Sequence, residues 1–126
     1  MDGLLLSRET QNTVINNDYG NRTYQIDFSD LGISNHTAME IIEESKGLNK
    51  GKSYDLRSDY VDDGALRVIN YMYRNIIKKL DHQNASEFIK RFIASEVGVS
   101  FDEFYNNTAD IFEITGFDFI FNFDSY

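Results

Sequence analysis

Apolar residues recur at intervals of three and four along residues 62–80, where Leu66, Ile69, Tyr73, Ile76 and Leu80 fall on one face of a helix. Asp62 or Asp63 stands where that helix needs an N-cap. A second periodic run holds Phe88, Ile89, Phe92 and Ile93. Asn84-Ala85-Ser86-Glu87 opens it as a capping box with Asn in the usual Ser or Thr place, and Gly98 closes it. A third run opens on a fuller box, Ser100-Phe101-Asp102-Glu103, carries Phe101, Phe104, Thr108, Ile111 and Phe112 as its stripe, and stops at Gly116. Upstream, Met39, Ile42 and Lys46 share a stripe, which predicts a helix over Asn35–Lys46 with Gly47 as its stop.

Elsewhere the period is two. Thr13-Val14-Ile15-Asn16 reads as a short strand, and Tyr24, Ile26 and Phe28 share one face of the next. Asn17-Asp18-Tyr19-Gly20-Asn21 between them is turn chemistry, so the pair predicts a β-hairpin. Phe117, Phe119, Phe121 and Phe123 alternate with Asp118, Ile120, Asn122 and Asp124, the pattern of a half-buried strand. The polar stretch Leu48–Asp63 reads as a loop with one short strand around Ser53–Arg57. The expected architecture is α+β: a single globular domain over residues 1–126, with a small antiparallel sheet (N-terminal hairpin plus C-terminal strand) packed against three to four helices.

Composition narrows the chemistry. The chain has no cysteine and two histidines, His36 and His82, so thiolate zinc sites, disulfide scaffolds and cysteine nucleophiles are excluded. No metal or cofactor is expected. No apolar run reaches the roughly 18 residues of a membrane span, and Met1-Asp2-Gly3-Leu4-Leu5-Leu6 lacks the basic start of a signal peptide. A cytoplasmic location is therefore expected. The twelve Asn and thirteen Ile suit an AT-rich coding sequence of bacterial, plasmid or phage origin.

Three short motifs have a chemical reading and a structural one. Tyr60-Val61-Asp62-Asp63 resembles the Y-x-D-D box of reverse transcriptases, but over four residues of a chain too short for a polymerase palm; helix capping is the expected role. Asp59, Asp63 and Gly64 overlay an EF-hand loop in part, with Val61 and Asn70 where two ligands belong. Residues 93–100 followed by Phe104 resemble the turn of a helix-turn-helix. The would-be recognition helix carries Asp102, Glu103, Asp110 and Glu113 and no cation, so a plain helix–helix corner is expected. There is no phosphate loop, nucleophile elbow or His-Glu-x-x-His zinc signature, and the chain is not expected to be an enzyme.

Charge changes the picture most. Net charge is −9, which disfavours phosphate backbones and anionic membranes and suits a basic protein partner. Residues 64–97 carry six basic and three acidic side chains, with Arg67, Tyr71, Arg74 and Lys78 along one helix face. After Arg91 no Lys or Arg follows, and the last 35 residues hold seven acidic groups. Asp102, Glu103, Asp110, Glu113, Asp118 and Asp124 are the candidate docking residues, with Tyr105 and Tyr126 as candidate aromatic anchors. The basic face at 67–78 is the candidate internal partner that would cancel them.

Three function classes follow. The first is a small acidic protein-binding inhibitor, most concretely a bacterial immunity protein that neutralises a basic, nuclease-type toxin domain by direct binding, with no nucleic acid or membrane contact of its own. The second is a phage or plasmid anti-defence protein that imitates nucleic acid against a restriction or CRISPR effector. The third is a structural or assembly subunit that pairs through an exposed strand edge.

Overall fold

The computed structural model describes residues 26–121, together with the backbone pairing of β1 (Ile15–Asn16) and β2 (Thr23–Tyr24). These two strands are antiparallel, with Ile15 opposite Tyr24, which is the expected N-terminal hairpin. A 3-10 turn at Ser29–Leu31 follows, then α1 (Asn35–Gly47), β3 (Leu56–Arg57), β4 (Tyr60–Val61), α2 (Asp63–Ile76), α3 (His82–Val97), α4 (Phe101–Thr115) and a second 3-10 turn at Asp118–Phe121. The protein is thus a mixed α+β fold dominated by four helices, with short two-stranded antiparallel pieces.

Local chemistry sets the helix ends. Ser34 Oγ accepts the Thr37 N–H at 3.1 Å and starts α1. Asp62 Oδ1 accepts the Ala65 N–H at 2.9 Å and starts α2. Ser100 Oγ accepts the Glu103 N–H at 3.1 Å and starts α4. Gly98 and Gly116 end α3 and α4 with φ of 79° and 81°, a left-handed backbone that costs glycine little.

Several boundaries differ from expectation: Ile26 and Phe28 lie beyond β2, and α2 ends at Ile76, which leaves Leu80 outside it. Asp81 caps α3, its Oδ1 accepting the Asn84 N–H at 2.8 Å, so the Asn84–Glu87 box lies inside the helix. Aspartate three residues earlier satisfies its own orphan donor, the Asn84 N–H, and lets the helix gain nearly one more turn. Gly47 is the last residue of α1, and Leu48 is its C-cap.

Helices next to each other in sequence pack together: α1 on α2, α2 on α3, α3 on α4. Their apolar faces converge on Phe28, Phe88, Phe92, Phe104 and Phe112, all fully buried among Ile42, Ile69, Met72, Ile76, Ile89 and Ile93. Phe28 stacks on Phe88 with centroids 4.3 Å apart. Arg91 fastens the same segment from outside. Its guanidinium donates to Asp30 Oδ1 and Oδ2 at 2.8 and 3.0 Å, to the Asp27 carbonyl at 2.8 Å and to Glu87 at 3.1 Å.

Over the described residues the C-terminal strand is not formed. Residues 118–121 are a 3-10 turn, and the consecutive Ile120 and Phe121 are both buried while Phe119 is 36% exposed. Phe121 closes an aromatic box, 4.8 Å from Phe101, 5.5 Å from Tyr105 and 5.1 Å from Phe112. Alternation specifies a strand only where a neighbouring edge supplies the ladder. Here four aromatic side chains of α4 and the turn stabilise a tighter backbone instead. The expected sheet of hairpin plus C-terminal strand is corrected accordingly. Phe123 lies outside the described residues.

Three carboxylates report on pH. Hydrogen bonds from Ser29 and Asn35 hold Asp27 below its ordinary value of 3.8. The Arg91 guanidinium lowers Asp30. Burial pushes Asp62 up, but hydrogen bonds from Ser53, the Asp55 N–H and the Ala65 N–H outweigh it and hold the carboxyl below 3.8. Each is depressed in the fold, so the unfolded chain binds more protons between the two values. Their contribution is complete above the unfolded value and is lost as pH falls through the folded one. Urea midpoints measured from pH 6 down to pH 2.5 are expected to drop below about pH 4. Asp62→Ala is expected to lower the plateau by about 1 kcal/mol and to flatten that slope.

Candidate protein-interaction surface

α4 turns Phe104, Thr108 and Phe112 inward and its acids outward, while Ile111, expected on the same stripe, is exposed. The acids Asp102, Glu103, Asp110 and Glu113 are all exposed. Asp118 is half-buried on the turn that follows. Tyr105 is half-buried too, its ring stacked on Phe101 at 5.4 Å and tilted against Phe112 at 5.7 Å. Burial, then the negative charges of Asp118 and Glu113, push its phenol above 10.0. Asp124 and Tyr126 lie outside the described residues.

Among the described residues, no ion pair engages Asp102, Glu103, Asp110, Glu113 or Asp118. The basic stripe of α2 does not cancel them: Arg67, Arg74 and Lys78 make no ion pair with α4. Glu96 behaves differently. It turns inward, 3.4 Å from Lys46 Nζ and accepting the Tyr54 hydroxyl at 3.1 Å, and so ties α3 to the end of α1 and the segment after it.

Helix electrostatics separates the acids into two kinds. Asp102 and Glu103 lie in the first turn of α4, where a carboxylate complements the positive end of the helix. Glu113 lies in the last turn, which has no basic residue, and there a negative charge opposes the negative end. Helix stability accounts for the first pair and not for Glu113.

No known protein family, curated protein or solved structure matches this chain.

The short motifs resolve structurally. Asp62 of the Tyr60–Asp63 box caps α2, and Tyr60-Val61 is β4. Residues 98–100 form the corner between α3 and α4. Among the described residues, no group of three or more His, Asp or Glu is placed to hold a metal ion, and no helix is long and apolar enough to cross a membrane.

The sequence reading missed a cleft of about 520 Å³ bounded by the β3–β4 hairpin, the start of α2 and the end of α4. Tyr60, Asp63, Arg67, Ile111 and Thr115 line it. Arg57 lies over the Tyr60 ring at 5.0 Å. Beside it stand apolar side chains left in solvent: Tyr60 is 47%, Ile111 39% and Ile114 81% exposed. The signal was present. Leu56-Arg57-Ser58-Asp59-Tyr60-Val61 has strand formers around a two-residue polar turn, and Ile111 and Ile114 flank the buried Phe112.

Proposed function

We propose that the protein is a small acidic inhibitor that binds a basic protein domain, most concretely a bacterial immunity protein that neutralises a nuclease-type toxin by covering its phosphate-binding surface. The observation that carries this reading is the outer surface of α4, where Asp102, Glu103, Asp110 and Glu113 stand exposed without an ion-pair partner. Unpaired like charges raise the local potential and accelerate encounter with a basic partner. Glu113 supports it further, because its position weakens the helix that bears it. Docking falls to these four acids and Asp118. Tyr105, committed to its aromatic neighbours, offers only part of its ring.

The test begins with capture of the tagged chain from its native host. One stoichiometric basic toxin or nuclease domain, whose activity the purified chain blocks, is the expected result. Asp110→Lys with Glu113→Lys is then expected to slow association about tenfold or more at unchanged circular dichroism. Glu113→Gln alone is expected to raise stability by about 0.3–1 kcal/mol while slowing association. An association rate indifferent to these charges would sink the reading.

A further inference from the structure

The cleft between α2 and α4 separates two surfaces of opposite character. On one bank Arg67 of α2 lies on the cleft wall, and further along the same helical stripe Tyr71, Arg74 and, in the turn beyond the helix, Lys78 border a second pocket shared with Glu44 and Leu48 at the end of α1. Arg74 and Lys78 are exposed, and Arg67 Nε is covered yet makes no hydrogen bond. On the other bank Ile111 lines the cleft, and one step further round α4 come Ile114, Glu103 and Asp110. At 3.6 residues per turn these last three fall within a narrow arc of the helix. Ile114 at 81% exposure is the most exposed large apolar side chain among the described residues.

We propose that this face closes on a second copy of the same chain about a two-fold axis, the basic bank of one protomer against the apolar and acidic bank of its partner. A two-fold interface uses the same patch twice, so the patch must carry its own complement. Acid or base alone would fail that condition. Here both signs flank the cleft, none of these side chains forms an ion pair among the described residues, and an exposed isoleucine follows the acids round α4. Arg74 and Lys78 of each protomer meet Asp110 and Glu103 of the other, and Ile114 enters the cleft over Ile111. The net charge of −9 per chain opposes association at long range, but physiological salt screens that repulsion beyond about 8 Å. The contacts within the interface are shorter than this. The partner-binding proposal shares Glu103 and Asp110 with this interface but not the α2 stripe or the cleft: a monomeric result leaves it standing, and a dimer leaves Asp102, Glu113 and Asp118 as its docking residues.

Sedimentation velocity at 0.15 M salt and tens of micromolar chain is the test. The expected species has twice the 14.6 kDa mass of the chain. Ile114→Glu and Arg74→Glu, both at solvent-facing positions, are each expected to weaken the dimer at least tenfold with circular dichroism unchanged. Zero-length carbodiimide coupling of mixed isotope-labelled and unlabelled chains is expected to join Lys78 of one chain to Glu103 or Asp110 of another. A monomer at 200 µM overturns the proposal. A dimer indifferent to both substitutions overturns it as well, because its interface lies elsewhere.

Discussion

Replacing Gly64 by alanine is expected to destabilise the fold by about 3 kcal/mol, although alanine is the better helix former by about 0.8–1.0 kcal/mol. Gly64 is the second residue of α2. A Cβ built there would lie 1.6 Å from the Ser53 carbonyl oxygen and 2.7 Å from its carbon. Backbone, not a flexible side-chain tip, occupies the space. The segment cannot swing away cheaply, because buried Asn49 donates through Nδ2 to the Lys52 and Ser53 carbonyls at 3.1 and 3.0 Å. Moving Ser53 also disturbs its hydroxyl's hydrogen bond to Asp62, the cap of the same helix. The urea midpoint should fall with its slope unchanged. Gly47 provides the control. It ends α1 with nothing within 4 Å of a built Cβ, so Gly47→Ala should stabilise by about 0.5–1 kcal/mol. Shifts of the same sign in both variants would refute the close approach at Gly64.

Phe88→Ala is expected to cost about 3–5 kcal/mol, a large part of the roughly 5–15 kcal/mol that holds a domain of this kind together. Phe88 is fully buried on α3, the helix that touches both α2 and α4 as well as the two 3-10 turns. Its stacking on Phe28 joins that centre to the segment leading into α1. Truncation therefore leaves a cavity and frees Phe28 from its partner. Phe28→Ala should cost a similar amount. The double variant should lose less than the sum, since both singles remove one shared contact. Thermal and urea unfolding of the three variants decide it. Strict additivity would mean the two rings contribute independently.

The helices were legible because each announces itself through independent signals that agree. In α4 the capping Ser100, the Phe104–Thr108–Phe112 spacing and the stop at Gly116 all point to one element. At α3 the Asn84 box was a local pattern that lost to Asp81, and nothing within four residues could rank two competent caps. The C-terminal alternation failed for a different reason. A strand is a claim about a neighbour, and residues 117–121 carry no information about whether an edge waits for them. The acidic surface was legible in part. Composition along the chain located the charges on α4, but only tertiary packing reveals that Glu96 is spent on Lys46 and Tyr54. The cleft was legible only in its pieces: the hairpin pattern at 56–61 stands in the sequence, but no periodicity relates it to Ile111 about fifty positions away.

The way the helices neighbour one another also sets a tempo. Each packs against the one before it, so most of the core forms by closing short loops, whose entropy cost is small. Assembly of α2, α3 and α4 on the millisecond scale or faster suits such a layout. The grip of Arg91 on Asp30 spans 61 residues, and that of Phe88 on Phe28 is nearly the same reach. Neither can act before α3 exists to present it. The segment before α1 is thus a late clasp on a body already built, and Arg91 governs how slowly the finished molecule lets go of it rather than how quickly the core comes together.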